Sequence, residues 1–247
     1  MTVETEDDVR ALKRVGAAVA AVLREMLAAV EPGMTTGELD AFGAGLLERE
    51  GARSAPQLTY GFPGATCISV NEEAAHGVPG DRIIRAGDVV NIDVSAELDG
   101  YYADTGGTGV VPPSTPLKNR LCHATRQALR AAMQAARAGA PLNGIGAAIE
   151  RTAKKHGFRI IENLGSHGVG RALHEPPEHI PGYRAPRDRR VLTDGMVITI
   201  EPFLSTKSRQ VSEAADGWTL VGAAGNLSAQ YEHTMIITRG APLVVTA

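Results

Sequence analysis

The sequence predicts an α+β domain built from two related halves that face each other across one site, and three observations carry this reading. A helix, helix, strands order occurs twice along the 247 residues, approximately over 6–112 and 114–240. GDVVNIDV in the first half is echoed by GMVITIEP in the second. Two β-rich runs, VVNIDVSAEL and YYADTGGTGVV, are separated by Asp99-Gly100, the strongest short-range hairpin signal. Repeats of this length do not make a solenoid. No low-complexity segment or linker divides the halves, so a single domain over 1–247 is expected.

The elements follow in order. Val9, Leu12, Val15, Val19, Val22, Leu23, Met26 and Val30 recur at gaps of mostly three and four residues, which predicts one apolar face of a helix over about residues 6 to 30. Pro32-Gly33 stops it, and Thr35 with Glu38 forms a capping box for a second helix that ends near Gly51. Cys67–Val70 reads as a short strand, Asn71 to Gly80 as a loop, and the Asp99-Gly100 hairpin follows. Ser114-Thr115-Pro116 opens a third helix, stopped by Gly139 and Pro141, and a shorter one spans roughly Asn143 to His156. FRIIENL, GMVITIEPFLS, WTLVG, AQYEHTMIIT and PLVVT then read as strands.

Composition narrows the class without naming a function. A hydrophobic fraction of 43% and a charged fraction of 21% are those of an ordinary globular chain. The formal net charge of -3 predicts no strong pull toward nucleic acid or anionic membrane. The local basic stretch Arg184 to Arg190 reads as a solvated loop. The N-terminus lacks the order of a signal peptide, and no apolar run approaches the ~20 residues that span a bilayer. With only Cys67 and Cys122, the expectation is a cytoplasmic protein with reduced thiols.

The chemistry-bearing residues begin in the hairpin. With Asp99 and Gly100 as turn residues, Asp104 faces Ser95, and Asp93 shares that face because strand side chains alternate. Asp93 and Asp104 are then diagonal neighbours, about 7–8 Å apart at the backbone. Like charges so placed disfavour each other's ionised form, and a cation between them removes the problem; two aspartates pointing to solvent would equally satisfy the pattern. Glu201 follows MVITI and precedes Pro202, and Glu232 stands in AQYEHTMIIT beside an apolar run. Buried carboxylates are rare unless paired or bound to metal. His167, between glycines in GSHGVG, has an accessible ring, although a lone histidine in such a loop is commonly structural. Together these five supply oxygen-rich ligands suited to a pair of divalent first-row metals and unlike a closed, cysteine-rich structural zinc site.

CISVNEEAAHGVP, NIDVSAELDGYYADT, SHGVGRALHEPP, ITIEP and LSAQYEHT resemble, in order, the signature segments of the type I methionine aminopeptidases, and the resemblance runs from the first helices to about Thr238. It implies the pita-bread fold, two pseudo-symmetric halves around a central antiparallel sheet. It implies a cytoplasmic aminopeptidase, likewise a monomer, that hydrolyses the initiator methionine from nascent chains ahead of a small second residue. Asp93 and Asp104 would chelate or bridge two divalent metal ions (iron, manganese, cobalt or zinc), with Glu232 as the second bridging carboxylate. His167 and Glu201 would complete the first metal's shell, and Glu201 would handle the proton of the attacking water. His76 and His174 resemble the family's two non-ligand histidines, which bind the substrate around the scissile amide. Phe62, Cys67 and Trp218 match positions that line the methionine pocket. Two departures stand out: Leu173 is where the family often has an aromatic, and Thr59 is where a tyrosine is common. No long helical insertion of the type II kind is present.

Two other readings remain at this level. One is a related peptidase of the same fold acting on X-Pro bonds, which LSAQYEHT with Trp218 upstream fits less well. The other is a non-catalytic module that contacts nascent chains or ribosomes; such a protein would be expected to lose metal ligands, and all five are present. A transient ribosome contact in addition to catalysis falls on the Arg184–Arg190 stretch.

Overall fold

The computed structural model describes residues 1–247. Helix α1 (Glu6–Ala29) and helix α2 (Thr36–Arg49) both begin with a capping box, Thr5 with Asp8 and Thr35 with Glu38. The apolar stripe of α1 is buried as its spacing requires: Leu12, Val15, Val19, Val22 and Met26 are all within 1% of fully covered. Two elements that the sequence pattern did not announce come next, strand β1 (Arg53–Ser54) and the short helix α3 (Ala55–Tyr60). Ser54 caps α3 by accepting from Gln57 N, and Gly61, at φ 68, turns the chain out of it. Strand β2 (Cys67–Val70) stands as expected, whereas Glu73–Ala75, expected as loop, forms strand β3.

Strands β4 (Val89–Leu98) and β5 (Tyr101–Val110) make the hairpin with the anticipated register: Leu98 pairs with Tyr101 and Ser95 with Asp104. Asp99 takes φ 53 and Gly100 φ 80, both left-handed, as a tight turn between twisted strands demands. On the other edge of β4, β2 covers Val90 to Asp93 and β1 covers Ala96 and Glu97. Helices α1 and α2 pack against this sheet through a core that includes Val22, Met26, Leu39, Ile68, Ile92 and Val94.

The second half repeats the plan. Helix α4 (Pro116–Ala135), capped by Thr115, and helix α5 (Asn143–His156), closed by left-handed Gly157, are those anticipated. They cover a second core containing Leu121, Ile145, Ile149, Ile198, Ile200 and Met235. Strand β6 (Arg159–Ile160) follows; strand β7 (Gly165–Gly168) and strand β8 (Glu175–Pro181) arise where the sequence showed only glycines and prolines. The run GMVITIEPFLS divides into β9 (Val197–Ile200) and β10 (Phe203–Ser205). After β11 (Ser212–Glu213) and β12 (Leu220–Val221), AQYEHTMIIT likewise divides into β13 (Ser228–Gln230) and β14 (His233–Ile236), and β15 (Leu243–Val244) ends the chain. Strand β12 joins β3 to β11 in a small sheet.

The two divisions coincide. Ile200 pairs with His233 and Phe203 with Gln230, so one register runs through the gap and sets Glu201 opposite Glu232. Pro202 has no N–H to give to a ladder. Glu201 N donates instead to Ser166 Oγ, and Glu232 N donates to Gly106 O on β5. Segment 230–234 is further joined to β5 by Thr234, whose hydroxyl accepts from Asp104 N and donates to Asp104 O, and by Thr105, whose hydroxyl donates to Glu232 O. These bonds fix the second-half carboxylates against the hairpin aspartates.

Candidate metal centre

Strands β4 and β5 deliver Asp93 and Asp104 to one face, the gap between ribbons delivers Glu201 and Glu232, and β7 delivers His167. Asp104, His167, Glu201 and Glu232 are 1–8% exposed, while Asp93 remains partly open to a cavity of about 300 Å³. Asp104, His167 and Glu232 each offer a ligand atom within 4.8 Å of the others. His167 Nε2 lies 3.5 Å from Glu201 Oε1 and 3.9 Å from Asp104 Oδ2.

Supporting hydrogen bonds orient His167, Glu201 and Glu232. His167 Nδ1 is 2.9 Å from Gly168 O; a carbonyl only accepts, so Nδ1 carries the proton and the Nε2 lone pair faces the carboxylates. Thr199 Oγ1 accepts from His167 N and donates to Glu201 Oε1 at 3.2 Å. Gln230 Nε2 donates to Glu232 Oε2 at 2.8 Å, while its Oε1 accepts from Asn91 Nδ2 at 2.9 Å. Gly106 makes room for that amide, since a Cβ there would stand 2.2 Å from Gln230 Oε1. Gln230, Asn91, Ser166 and Thr199 were not singled out from the sequence. They lie inside or beside the segments quoted above, but their task shows only once the strands are paired.

Without a cation the cluster is electrostatically poor. Burial, and then the Asp104 charge, pushes Asp93 well above the usual carboxylate range. Burial raises Asp104 to about 6. Glu201 and Glu232 are pushed well above their usual range by burial and then by the charge of Asp104. Burial drops His167 to about 3. Asp104 Oδ1 and Glu232 Oε1 are buried with no hydrogen-bond partner at all. Buried acceptors left unpaired, beside an imidazole lone pair aimed at carboxylate oxygens, are what a divalent cation relieves. The residues fit the group that the resemblance implies.

The cavity is lined by Tyr60, Phe62, Cys67, His76, Leu173 and His174, together with Asp93, Ser95, Asp104, His167 and Glu201. His76 holds φ 53, a left-handed conformation uncommon for a non-glycine residue, at the end of β3. The His174 ring lies 4.0 Å from that of His167, and burial, then the charge of His76, lowers its pKa to about 4. Cys67, paired across the sheet with Asp93, has its thiol pushed well up by burial and then by that carboxylate. A thiol so placed is a wall and not a nucleophile. Trp218 does not line the cavity; it packs edge-on against Phe62 at 5.3 Å and reaches the site through it. Leu173 is 3% exposed and does line it, whereas Thr59 is exposed and outside it. The tyrosine that enters the wall is the next residue, Tyr60.

Comparison with known proteins agrees with this geometry. Residues 10–239 match the model of metallopeptidase family M24. The chain is 44% identical over 247 residues to methionine aminopeptidase 2 of Bacillus subtilis strain 168, covering 100% of this chain and 99% of that protein. It is 35% identical over 240 residues to the methionine aminopeptidase of Escherichia coli K12, covering 96% and 90% of the two. The structure of the Thermotoga maritima methionine aminopeptidase superposes with a TM-score of 0.95 at 34% identity, covering 100% of this chain and 99% of that one. A Pyrococcus furiosus prolidase, 22% identical, superposes at 0.80 over 100% of this chain and 65% of its own, and shares the fold.

Proposed function

We infer the reaction from a plain premise: the chain belongs to metallopeptidase family M24. It has the pita-bread fold, and its activity is the metal-dependent removal of N-terminal methionine from polypeptides. The observation that best supports this reading is the convergence of Asp93, Asp104, His167 and Glu201 on the floor of a small, partly apolar cavity, with buried Glu232 beside Asp104 and His167 and two further histidines in the cavity lining. The working unit we propose is one catalytic domain over 1–247, with halves at about 6–112 and 114–240.

In this reading Asp93, Asp104 and Glu232 would hold two divalent ions, with His167 and Glu201 as further ligands. Iron, manganese, cobalt and zinc all suit oxygen-rich ligands with one imidazole. Such ions, when bound, lower the pKa of water and polarise the substrate carbonyl. The chain's own residues do the rest. Glu201, oriented by Thr199, takes the proton of the attacking water and passes it to the leaving amine. His76 and His174 flank the scissile amide and donate hydrogen bonds to the developing tetrahedral species. Phe62, backed by Trp218, and Cys67 and Leu173 wall the methionine side chain.

Substrates are the N-termini of nascent chains, and the preference for a small second residue is carried over from the resemblance to the type I methionine aminopeptidases. We place the enzyme in the cytoplasm as a monomer; no helix is long and apolar enough to cross a membrane. A transient ribosome contact would use Arg184, Arg187 and Arg189, which are exposed and free of ion pairs, while Arg190 is taken by Asp188.

The test is cleavage of Met-Ala-Ser, Leu-Ala-Ser and an X-Pro peptide after chelation and after metal add-back. Met-Ala-Ser should be cleaved in preference, and only with metal. Activity that survives complete metal removal sinks the mechanism, and a preference for the X-Pro peptide moves the chain to the other branch of its fold.

A further inference from the structure

Of the two departures from the family pattern, Leu173 precedes His174 in the chain and Thr59 precedes Tyr60, which touches that histidine. Thr59 points to solvent, and Leu173 brings no ring to the side of His174. An aromatic neighbour is nonetheless present. Tyr60, the last residue of α3, tilts its ring on that of His174, with centroids 5.7 Å apart at 53°. Its hydroxyl is 2.7 Å from His174 Nδ1. The ring itself is half out in solvent at 48% exposure, so burying apolar area is not what holds it there.

The local fold aims this hydroxyl. Ser54 Oγ, which caps α3, also donates to Ala65 O at 2.8 Å and so ties the start of the helix to the far side of its loop. Gly61 ends the helix in the left-handed region, where an L side chain is strained, and the reversal sends Tyr60 to the mouth of the cavity and Phe62 into its wall. Across the cavity, the segment that carries His174 is held by Arg171, which donates to Asp8 Oδ1 at 2.9 Å and lies 3.6 Å from the Tyr101 ring centre. His174 is therefore fixed from both sides.

Hydrogen-bond chemistry decides the proton's place. A neutral imidazole has one N–H and one lone pair, and a neutral phenol has one O–H. The imidazole lone pair is the better acceptor, because the phenol oxygen gives up electron density to its ring, and the phenol is the better donor. Donation from Tyr60 to Nδ1 leaves the proton on Nε2, the nitrogen turned away from Tyr60. We propose that Tyr60 is a positioning residue whose hydroxyl fixes His174 in the Nε2–H tautomer and so presents a donor to the substrate. The proposal rests on the peptidase reading for its purpose, but the hydrogen bond stands without it. It also gives the departure at Thr59 an account: in this chain the tyrosine acts one residue later than in the family pattern.

The experiment uses zinc-loaded protein, which is diamagnetic, with ¹⁵N-labelled histidine. In the unsubstituted protein the His174 nitrogens should report a protonated Nε2 and an unprotonated Nδ1. Tyr60→Phe keeps the ring and removes only the hydroxyl. It is expected to shift His174 toward a mixture of tautomers and to lower kcat for Met-Ala-Ser about 10-fold, with KM within about twofold and metal content unchanged. A tautomer and a kcat that do not move overturn the proposal. A raised KM with the tautomer unchanged also overturns it, by making Tyr60 a substrate contact. Should the protein cleave no methionyl peptide at all, the proposed function fails, while the nitrogen signals still decide the role of Tyr60.

Discussion

The floor of the cavity and its mouth are made from different parts of the chain. On the floor, Asp93 and Asp104 stand on paired strands, His167 on another, and Glu201 and Glu232 oppose each other in a shared register. At the mouth, Tyr60 ends a one-turn-and-a-half helix, Phe62 and His174 sit in loops, and His76 follows a three-residue strand in a left-handed conformation. A paired strand fixes a side chain through its whole ladder, so floor geometry is collective. A loop fixes one through a few local bonds, so each mouth residue can change by itself. Of the two departures from the family pattern, Leu173 is in the wall beside His174 and Thr59 is outside the cavity next to Tyr60, and all five floor residues are intact.

The largest effect should come from the contrast between one residue of each region. Asp104→Asn removes a charge that faces His167, Glu201 and Glu232 together. It is expected to abolish stoichiometric metal binding and to cut activity on Met-Ala-Ser by about 10³-fold or more. His76→Ala is expected to keep its metal and lose turnover by about 10²-fold, the loss typical of one donor to a tetrahedral species. Metal analysis beside the assay separates them. Metal loss from His76→Ala would erase the division between floor and mouth.

A second test acts on the floor alone. Asp104 is raised to about 6, and Asp93, Glu201 and Glu232 also lie above their ordinary values. A group raised on folding stabilises the fold while it is protonated and loses that contribution as pH climbs through its folded value. His167, lowered to about 3, has the opposite sign: its penalty appears as pH falls below the ordinary histidine value near 6.5. Above about pH 7.5 the histidines are mostly neutral in both states, and carboxylates whose folded values lie that high alone decide. The metal-free protein should therefore melt at progressively lower temperature as pH rises above that point. Because metal binding needs ionised carboxylates, the rise in Tm on adding metal should widen with pH. A gap that stays constant above that point would mean that these carboxylates do not receive the ion.

The same division governs what the sequence discloses. The hairpin was legible to the residue because Asp99-Gly100 sets both turn and register, and alternation then places Asp93 with Asp104. Helices α1, α2, α4 and α5 were legible from apolar spacing and caps. The division of GMVITIEPFLS and AQYEHTMIIT was not, because an apolar run does not reveal where its N–H groups leave the ladder for Ser166 and Gly106. Helix α3 was missed although Ser54, Pro56 and Gly61 are its cap, its early proline and its left-handed stop; six residues carry no periodicity. Trp218 was expected on the pocket wall and stands behind Phe62, a distinction that only packing makes.

The smallest expected effect is at Leu173, and it sharpens the comparison most. Leu173→Phe restores a ring beside His174 in a wall that a thioether side chain is proposed to touch. A sulfur–aromatic contact is worth about 0.3–1.5 kcal/mol, so KM for Met-Ala-Ser should fall about threefold while Leu-Ala-Ser gains less. The extra volume at a position 3% exposed should cost about 1–3 kcal/mol of stability, visible as a lower Tm. Metal content and kcat should not change, because Leu173 donates nothing to the floor. A mouth residue is thus expected to move affinity and selectivity only. If Leu173→Phe lowers kcat for both peptides equally or reduces metal content, floor and mouth are one mechanical unit, and the tolerance of this family position to leucine needs another cause.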